Sequence, residues 1–181
     1  MTDVRLVKKA KRGNKEALLQ LIMAQKDAYY RLAFTYMENP HDAMDSMEEM
    51  IVILYEKIHQ LKNEEAFYSW SKTVLVNCCK TSLRKQKRVV LVEEWEPTYE
   101  TVNDQTLIND PYKNSEYQMD INASLRILNK YQKEAVQLKY FHDYDYETIA
   151  RLTNVSVGTV KSRVFQGLKK LREYYGGELD E

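Results

Sequence analysis

The chain has 181 residues and equal numbers of basic and acidic side chains, 27 of each. Its 44% hydrophobic and 30% charged residues are typical of a packed globular protein and exclude a largely disordered one. No apolar run reaches the length of a membrane span, so we expect a cytoplasmic protein. Two adjacent cysteines and three scattered histidines suggest neither a disulfide framework nor a metal site, and we expect no cofactor.

The zero net charge hides three segments of different charge. Residues 1–88 carry 16 basic and 11 acidic residues, residues 89–120 carry 1 and 8, and residues 121–181 carry 10 and 8. The acidic middle segment also contains Pro97 and Pro111 and has no sustained hydrophobic period. We therefore predict two helical domains, 1–88 and 121–181, joined by a flexible and partly disordered linker over 89–120.

The first domain is predicted to contain four helices. A short helix ends near Gly13, and Asn14 caps a second helix that runs toward Tyr36. After the break at "ENPHD", Asp42 is predicted to cap a third helix. A fourth helix runs over about 64–87 and ends in "KTSLRKQKR", where five of nine residues are basic.

Four helices are also predicted in the second domain, over about 121–129, 131–141, 145–152 and 156–175. No segment shows convincing strand alternation. The fold class predicted for the whole chain is therefore all-α, with two small helical domains.

The stretch "YETIARLTNVSVGTVKSRVFQGLKKL", residues 146–171, has the pattern of a helix-turn-helix. Asn154 tolerates the left-handed backbone that the turn needs, and Ser156 can cap the second helix. Val160 and Val164 would face back onto the first helix. The outward side of the second helix carries Lys, Arg, Ser and Gln, which suit phosphates and base edges in a DNA major groove.

Phe165 lies off the apolar stripe of that second helix and allows two interpretations. In one, its ring is exposed and makes apolar contact with DNA. In the other, the helix packs on two sides and Phe165 belongs to the core. Spacing alone leaves both open.

Three segments together resemble a known family. "ETIARLTNVSVGTVKSRVFQGLKKLRE" resembles region 4 of the extracytoplasmic-function (ECF) class of bacterial sigma factors. "DAMDSMEEMIVILYEKI" and "AFYSWSKTVLVNCCKTSLRKQKR" resemble parts of region 2 of the same family. The resemblance implies a protein that binds core RNA polymerase, recognises and melts promoter DNA, and has no enzymatic activity or small-molecule substrate. It also implies control by an anti-sigma factor, often membrane-bound, which would hold the protein at the inner face of the membrane.

The resemblance also implies roles for particular residues. The polymerase would bind a helix face made by Asp45, Glu48, Glu49 and Ile53, although the family usually has glutamine at the position of Glu48. The −10 element would be bound by Leu61, Lys62, Asn63, Asn77, Lys80, Arg84, Lys85 and Arg88, with Phe67 and Trp70 bracing the base-capturing loop. The −35 element would be read by Ser156, Thr159, Lys161, Ser162, Arg163, Phe165 and Gln166.

Two other functions fit parts of the sequence. A stand-alone helix-turn-helix regulator would bind duplex DNA as a dimer without polymerase, but the match over residues 42–88 argues against it. A helical enzyme acting on nucleic acid would need a catalytic group, and the sequence contains no nucleophile with its base and no phosphate-binding glycine loop. The acidic run from Asp42 to Glu49 is more typical of a protein-binding face than of a metal site.

Overall fold

The computed structural model describes residues 3–93 and 124–176, and the side chains of residues 3–86 and 124–175. Every regular element in these ranges is helical, as predicted for an all-α fold. The chain divides into two compact units, Met1–Trp95 and Glu96–Glu181. The predicted linker falls outside the described residues from residue 94 onward, and so does Trp95.

The described residues of unit 1 form five α-helices: α1 (Val4–Lys11), α2 (Lys15–Met23), α3 (Lys26–Met37), α4 (Pro40–Lys57) and α5 (Phe67–Glu93). Two 3₁₀ turns, Ile58–Gln60 and Glu64–Ala66, connect α4 to α5. The core lies among α3, α4 and α5. At its centre the buried Tyr29 hydroxyl and the Ser71 hydroxyl share a hydrogen bond of 2.7 Å, which satisfies both polar groups away from water.

Two predictions for unit 1 are wrong in detail. The second predicted helix is two helices, α2 and α3, because Gln25 leaves the helical conformation at φ −124° and ψ 16°. No glycine or proline marks this break, and the apolar spacing continues across it. Asn39, not Asp42, caps α4: its Oδ1 accepts from the His41 and Asp42 backbone amides, and Pro40 in the first helical turn has no N–H to satisfy.

The fourth predicted helix differs from the structure only at its ends. Residues 64–66 form the second 3₁₀ turn, so α5 begins at Phe67. At the other end α5 continues to Glu93, past the predicted end near Lys87.

Unit 2 contains α6 (Lys130–Tyr140), α7 (Tyr146–Thr153) and α8 (Val157–Gly176). Of the helix predicted over about 121–129, residues 121–123 lie outside the described residues, residues 124–125 are helical, and residues 126–128 form a turn and a bend before Asn129 caps α6. The prediction is therefore wrong only in how far the helix runs, and Leu125 and Leu128 are both buried. The other three helices agree with the prediction to within a few residues.

The helix-turn-helix of α7 and α8 forms as predicted. Asn154 ends α7 in the left-handed conformation at φ 55°. Ser156 Oγ accepts from the Thr159 backbone amide at 3.1 Å and so caps α8. Val160 and Val164 are buried at 1% and 3% exposure, which fixes the face that α8 turns toward the protein.

Gly167 allows α8 to approach α6 closely. A Cβ atom on Gly167 would lie 2.9 Å from Val136 Cγ2 and 3.5 Å from Gln132 Cβ. Valine has little rotamer freedom, so it cannot easily move aside. The sequence alone does not show which helix packs against Gly167.

Replacing Gly167 with alanine is expected to lower the free energy of unfolding by about 1–2 kcal/mol, since overpacking costs more than the gain in helix propensity returns. Gly158→Ala is the matched control on the same helix, because its Cβ would meet only Ser156 Oγ, at 3.8 Å. It should leave stability unchanged or raise it by up to about 1 kcal/mol. Urea unfolding followed by circular dichroism measures both, and equal effects would contradict the packing role of Gly167.

Candidate functional site

The outward face of α8 exposes the side chains predicted to read DNA. Thr159, Lys161, Ser162, Phe165 and Gln166 are exposed, while Arg163 is half-buried. Phe165 is 69% exposed, the largest exposed fraction among the large apolar side chains described. The interpretation that placed Phe165 in the core is therefore wrong for the free chain.

Hydrogen bonds link several polar side chains on this face. Ser156 Oγ and Thr159 Oγ1 lie 2.8 Å apart. Gln166 Nε2 donates to Ser162 Oγ at 3.4 Å and Gln166 Oε1 accepts from Gln132 Nε2 of α6 at 3.5 Å. These long bonds orient Gln166 without using all of its donors and acceptors, so it can still bind a base edge.

Two cationic side chains of this face lie over aromatic rings. The Arg163 guanidinium carbon lies 4.7 Å from the Tyr131 ring centroid. The Lys161 ammonium nitrogen lies 5.7 Å from the ring centroid of Tyr146, and the ammonium nitrogen of Lys139, which belongs to α6 and not to this face, lies 5.2 Å from the same centroid. Cation–π attraction at exposed sites contributes about 0.5–1 kcal/mol, enough to bias the rotamers of these long side chains. The sequence analysis missed both tyrosines, because they come from α6 and α7.

Unit 1 contains a groove of about 510 Å³ between α4, the 3₁₀ turns and α5. It brings together side chains from two predicted sites: Glu49 and Ile53 of the polymerase set, and Leu61, Lys62 and Asn77 of the −10 set. Its lining residues are Glu49, Ile53, Lys57, Gln60, Leu61, Lys62, Trp70, Val74, Asn77, Cys78 and Thr81.

Other predicted residues of the −10 set surround the groove or lie further along α5. Asn63 Oδ1 accepts from the Glu65 backbone amide at 3.0 Å and starts the second 3₁₀ turn. Arg84 donates to Lys80 O and Thr81 Oγ1, so its guanidinium stays close to α5. Lys85 is exposed. Arg88 belongs to α5, but its side chain lies outside the described part of the chain.

The aromatic residues beside the groove differ in exposure. Phe67 is fully buried, with its ring centroid 5.3 Å from that of Tyr68 and 6.3 Å from that of Trp70. Trp70 is half-buried and lines the groove. Phe67 is thus placed to support the start of α5 and is not open to contact by DNA in this structure.

The acidic face of α4 remains in solvent. Asp45, Glu48 and Glu49 are exposed and Ile53 is half-buried. Asp45, Glu49 and Ile53 follow one another at intervals of four residues, so they form one row along the helix. Glu48 lies about 100° around the helix from Glu49.

The two cysteines are buried in the core beside this groove. Burial raises the pKa of Cys78 to about 11 and that of Cys79 to about 11. Both thiols therefore stay protonated near neutral pH, where they are poor nucleophiles.

Among the described residues, no cluster of three or more His, Cys, Asp or Glu side chains could hold a metal ion. The helices in these ranges are each too short or too polar to cross a membrane.

Two family models match the chain. Sigma-70 region 2 matches residues 21–89, and Sigma-70, region 4 matches residues 118–171. The first contains the groove and most of unit 1, and the second contains the helix-turn-helix. α1 lies before the first match.

Two solved structures share the fold. CnrH, solved in complex with the cytosolic domain of CnrY, is 17% identical with a TM-score of 0.67, and the match covers 97% of each chain. The sigma factor RpoE of Bartonella quintana, solved in complex with the anti-sigma factor NepR, is 22% identical with a TM-score of 0.67. That match covers 85% of this chain and 93% of RpoE.

Sequence relatives of higher identity extend over nearly the whole chain. The RNA polymerase sigma factor SigV of Bacillus subtilis is 32% identical over 164 residues, which are 91% of this chain and 94% of SigV. The ECF sigma-E factor of Haemophilus influenzae is 28% identical, covering 92% of this chain and 91% of that protein. The chain therefore belongs to the sigma-70 family of RNA polymerase sigma factors, in its extracytoplasmic-function class.

Proposed function

We propose that this sigma factor binds core RNA polymerase through α4 and directs it to promoters, where it takes part in melting the −10 element. The groove of unit 1 carries the proposal, because it joins acidic and apolar residues of α4 to polar and basic residues of α5 and the connecting loop. A stand-alone duplex-binding regulator has no need for such a groove. Opening DNA does need a site that accepts an unstacked base, and a groove of about 510 Å³ is of the size that takes small ligands.

In this proposal the two units bind different promoter elements. The outward face of α8 reads the −35 duplex through Arg163, Gln166 and Phe165. The groove and its loop bind the melted −10 strand, and the basic residues along α5 hold its phosphates. Basic residues contribute affinity with little sequence information, so specificity in unit 1 depends on the loop and Asn77.

We also propose that residues 1–88 and 121–181 act as separate domains. The division of the chain into two compact units supports this arrangement. The acidic segment between them would pass close to the polymerase channels that carry nucleic acid, and its negative charge would mimic that ligand.

An anti-sigma factor is the proposed regulator. RpoE is bound by the anti-sigma factor NepR and CnrH by the cytosolic domain of CnrY, which supports a similar partner for this chain. The partner would hide the acidic face of α4 from polymerase. We place the chain in the cytoplasm with the polymerase, at the inner face of the membrane when such a partner is membrane-bound, and assign it no catalysis of its own.

The proposal is tested by mixing the chain with core RNA polymerase and a randomised promoter library. A sigma factor should co-purify with the core enzyme and make thymines near the start site reactive to permanganate, which reports melting. The stand-alone regulator would instead bind duplex DNA as a dimer. It would neither co-purify with the core enzyme nor melt DNA.

A further inference from the structure

Lys11, the last residue of α1, contacts the loop that follows α4. Its ammonium nitrogen donates to the Leu61 carbonyl oxygen at 2.7 Å and to Glu64 Oε1 at 2.8 Å. The side chains of Lys11 and Glu64 are only 22% and 24% exposed. One side chain of α1 therefore connects to both ends of the segment 61–64.

This contact restrains the backbone between the two 3₁₀ turns at Leu61, whose side chain is itself buried at 9% exposure. The Leu61 amide donates to Ile58 O and the Ala66 amide donates to Asn63 O, so the two 3₁₀ turns are held internally. Within residues 61–63, between the turns, the structure shows no regular element. The bond from Lys11 to the Leu61 carbonyl fixes the main chain at the start of this stretch, directly before Lys62 and Asn63.

α1 is itself fixed to unit 1 by buried side chains, so it can hold the loop in place. Val7 and Ala10 are buried at 0% and 3% exposure, which packs the helix onto unit 1. Asp3 caps its first turn by accepting from the Arg5 and Leu6 amides. Lys9 is also on α1, but its side chain is exposed, whereas that of Lys11 is half-buried.

The ionic half of the contact persists at neutral pH. The hydrogen bond from the Lys11 ammonium holds the pKa of the Glu64 carboxyl below its usual value, and the charge of Lys8 acts in the same direction. Surface ion pairs by themselves contribute little. Here the same ammonium also binds a main-chain carbonyl, and a hydrogen bond to a charged donor is stronger than one between neutral groups.

We infer that Lys11 is a positioning residue that holds the loop 61–64 in the shape required to bind the melted −10 strand. The inference rests on the proposed function of the groove. It assigns a part in promoter opening to α1, which lies outside the segment that matches Sigma-70 region 2. Lys11 acts through the loop and does not itself contact DNA.

The test compares Lys11→Met with Lys9→Met in the full chain assembled with core polymerase. Both changes remove one positive charge from α1, but only the first removes the two contacts. Lys11→Met should slow promoter opening by about tenfold, the value of one hydrogen bond to a charged group. Affinity for core polymerase should not change. Hydrogen exchange of the amides at 61–66 in the free chain should become faster for Lys11→Met and stay the same for Lys9→Met.

Two further variants separate positioning from other effects. Lys11→Arg keeps the charge and the donors and should restore most of the opening rate. Glu64→Ala removes one of the two acceptors and leaves α1 untouched, so it should slow promoter opening by less than tenfold. This variant tests the contact even if Lys11→Met fails to fold.

The results that would overturn the inference differ from those that would overturn the proposed function. If the wild-type chain neither binds core polymerase nor opens promoters, the proposed function is wrong and the inference falls with it. If the wild-type chain does both, and Lys11→Met opens promoters at the wild-type rate or no more slowly than Lys9→Met, only the inference is overturned.

Discussion

Replacing Glu49 with lysine is expected to abolish co-purification of the chain with core RNA polymerase while leaving its fold intact. Glu49 is exposed on α4, with Asp45 one turn before it and Ile53 one turn after it at the edge of the groove. Disrupting a charged pair in a protein interface costs about 2–5 kcal/mol, which lowers affinity by about 30-fold or more. A surface substitution of this kind changes the free energy of unfolding by only about 0.5 kcal/mol.

The measurement is made without DNA, because Glu49 also lines the groove proposed to bind the −10 strand. Asp27→Lys is the matched control: it makes the same change of net charge at an exposed carboxylate in the first turn of α3. It should co-purify like the wild-type chain. Normal binding by Glu49→Lys would remove this face of α4 from the polymerase interface, and equal losses in both variants would indicate an effect of net charge.

Local signals in the sequence predicted most of the helices, and their exceptions have identifiable causes. Asn14 and Ser156 cap helices as expected because a cap depends on residues within four positions of each other. The break at Gln25 was missed because it involves neither glycine nor proline, and the buried residues on either side keep a helical spacing. The cap of α4 was misplaced by three residues because Asn39 precedes a proline that belongs to the helix.

Contacts between elements distant in the chain could not be predicted from one sequence. Lys11 and Glu64 are separated by 53 positions, and no local pattern pairs them. The ring centroid of Tyr131 in α6 lies 4.7 Å from the Arg163 guanidinium carbon in α8, and Gly167 lets these two helices pack closely. The family resemblance selected residues on both sides of the groove, but only the fold shows that α4 and α5 place them in one cavity.

Phe165→Ala is expected to weaken binding of the −35 element while barely changing the melting temperature. Successive residues of a helix lie about 100° apart, so Phe165 is turned away from the buried stripe of Val160 and Val164. A ring that is 69% exposed in the free chain has little packing to lose. If DNA covers it, removing the ring should cost about 1–3 kcal/mol of binding free energy, a loss of affinity of at least about fivefold.

The holoenzyme should be tested on duplexes that the wild-type protein selects from a library randomised at the −35 element. Tyr174→Ala removes another exposed aromatic ring from α8. This ring is 51% exposed and lies nine residues after Phe165, and the variant should bind DNA normally.

The dependence of DNA affinity on salt concentration distinguishes the apolar contact of Phe165 from the contacts of charged side chains. Phe165→Ala should keep the wild-type dependence of affinity on salt, whereas Lys161→Gln should reduce its slope by about one unit if Lys161 binds a phosphate. Unchanged DNA affinity of Phe165→Ala would mean that the exposed ring makes no contact with the −35 element.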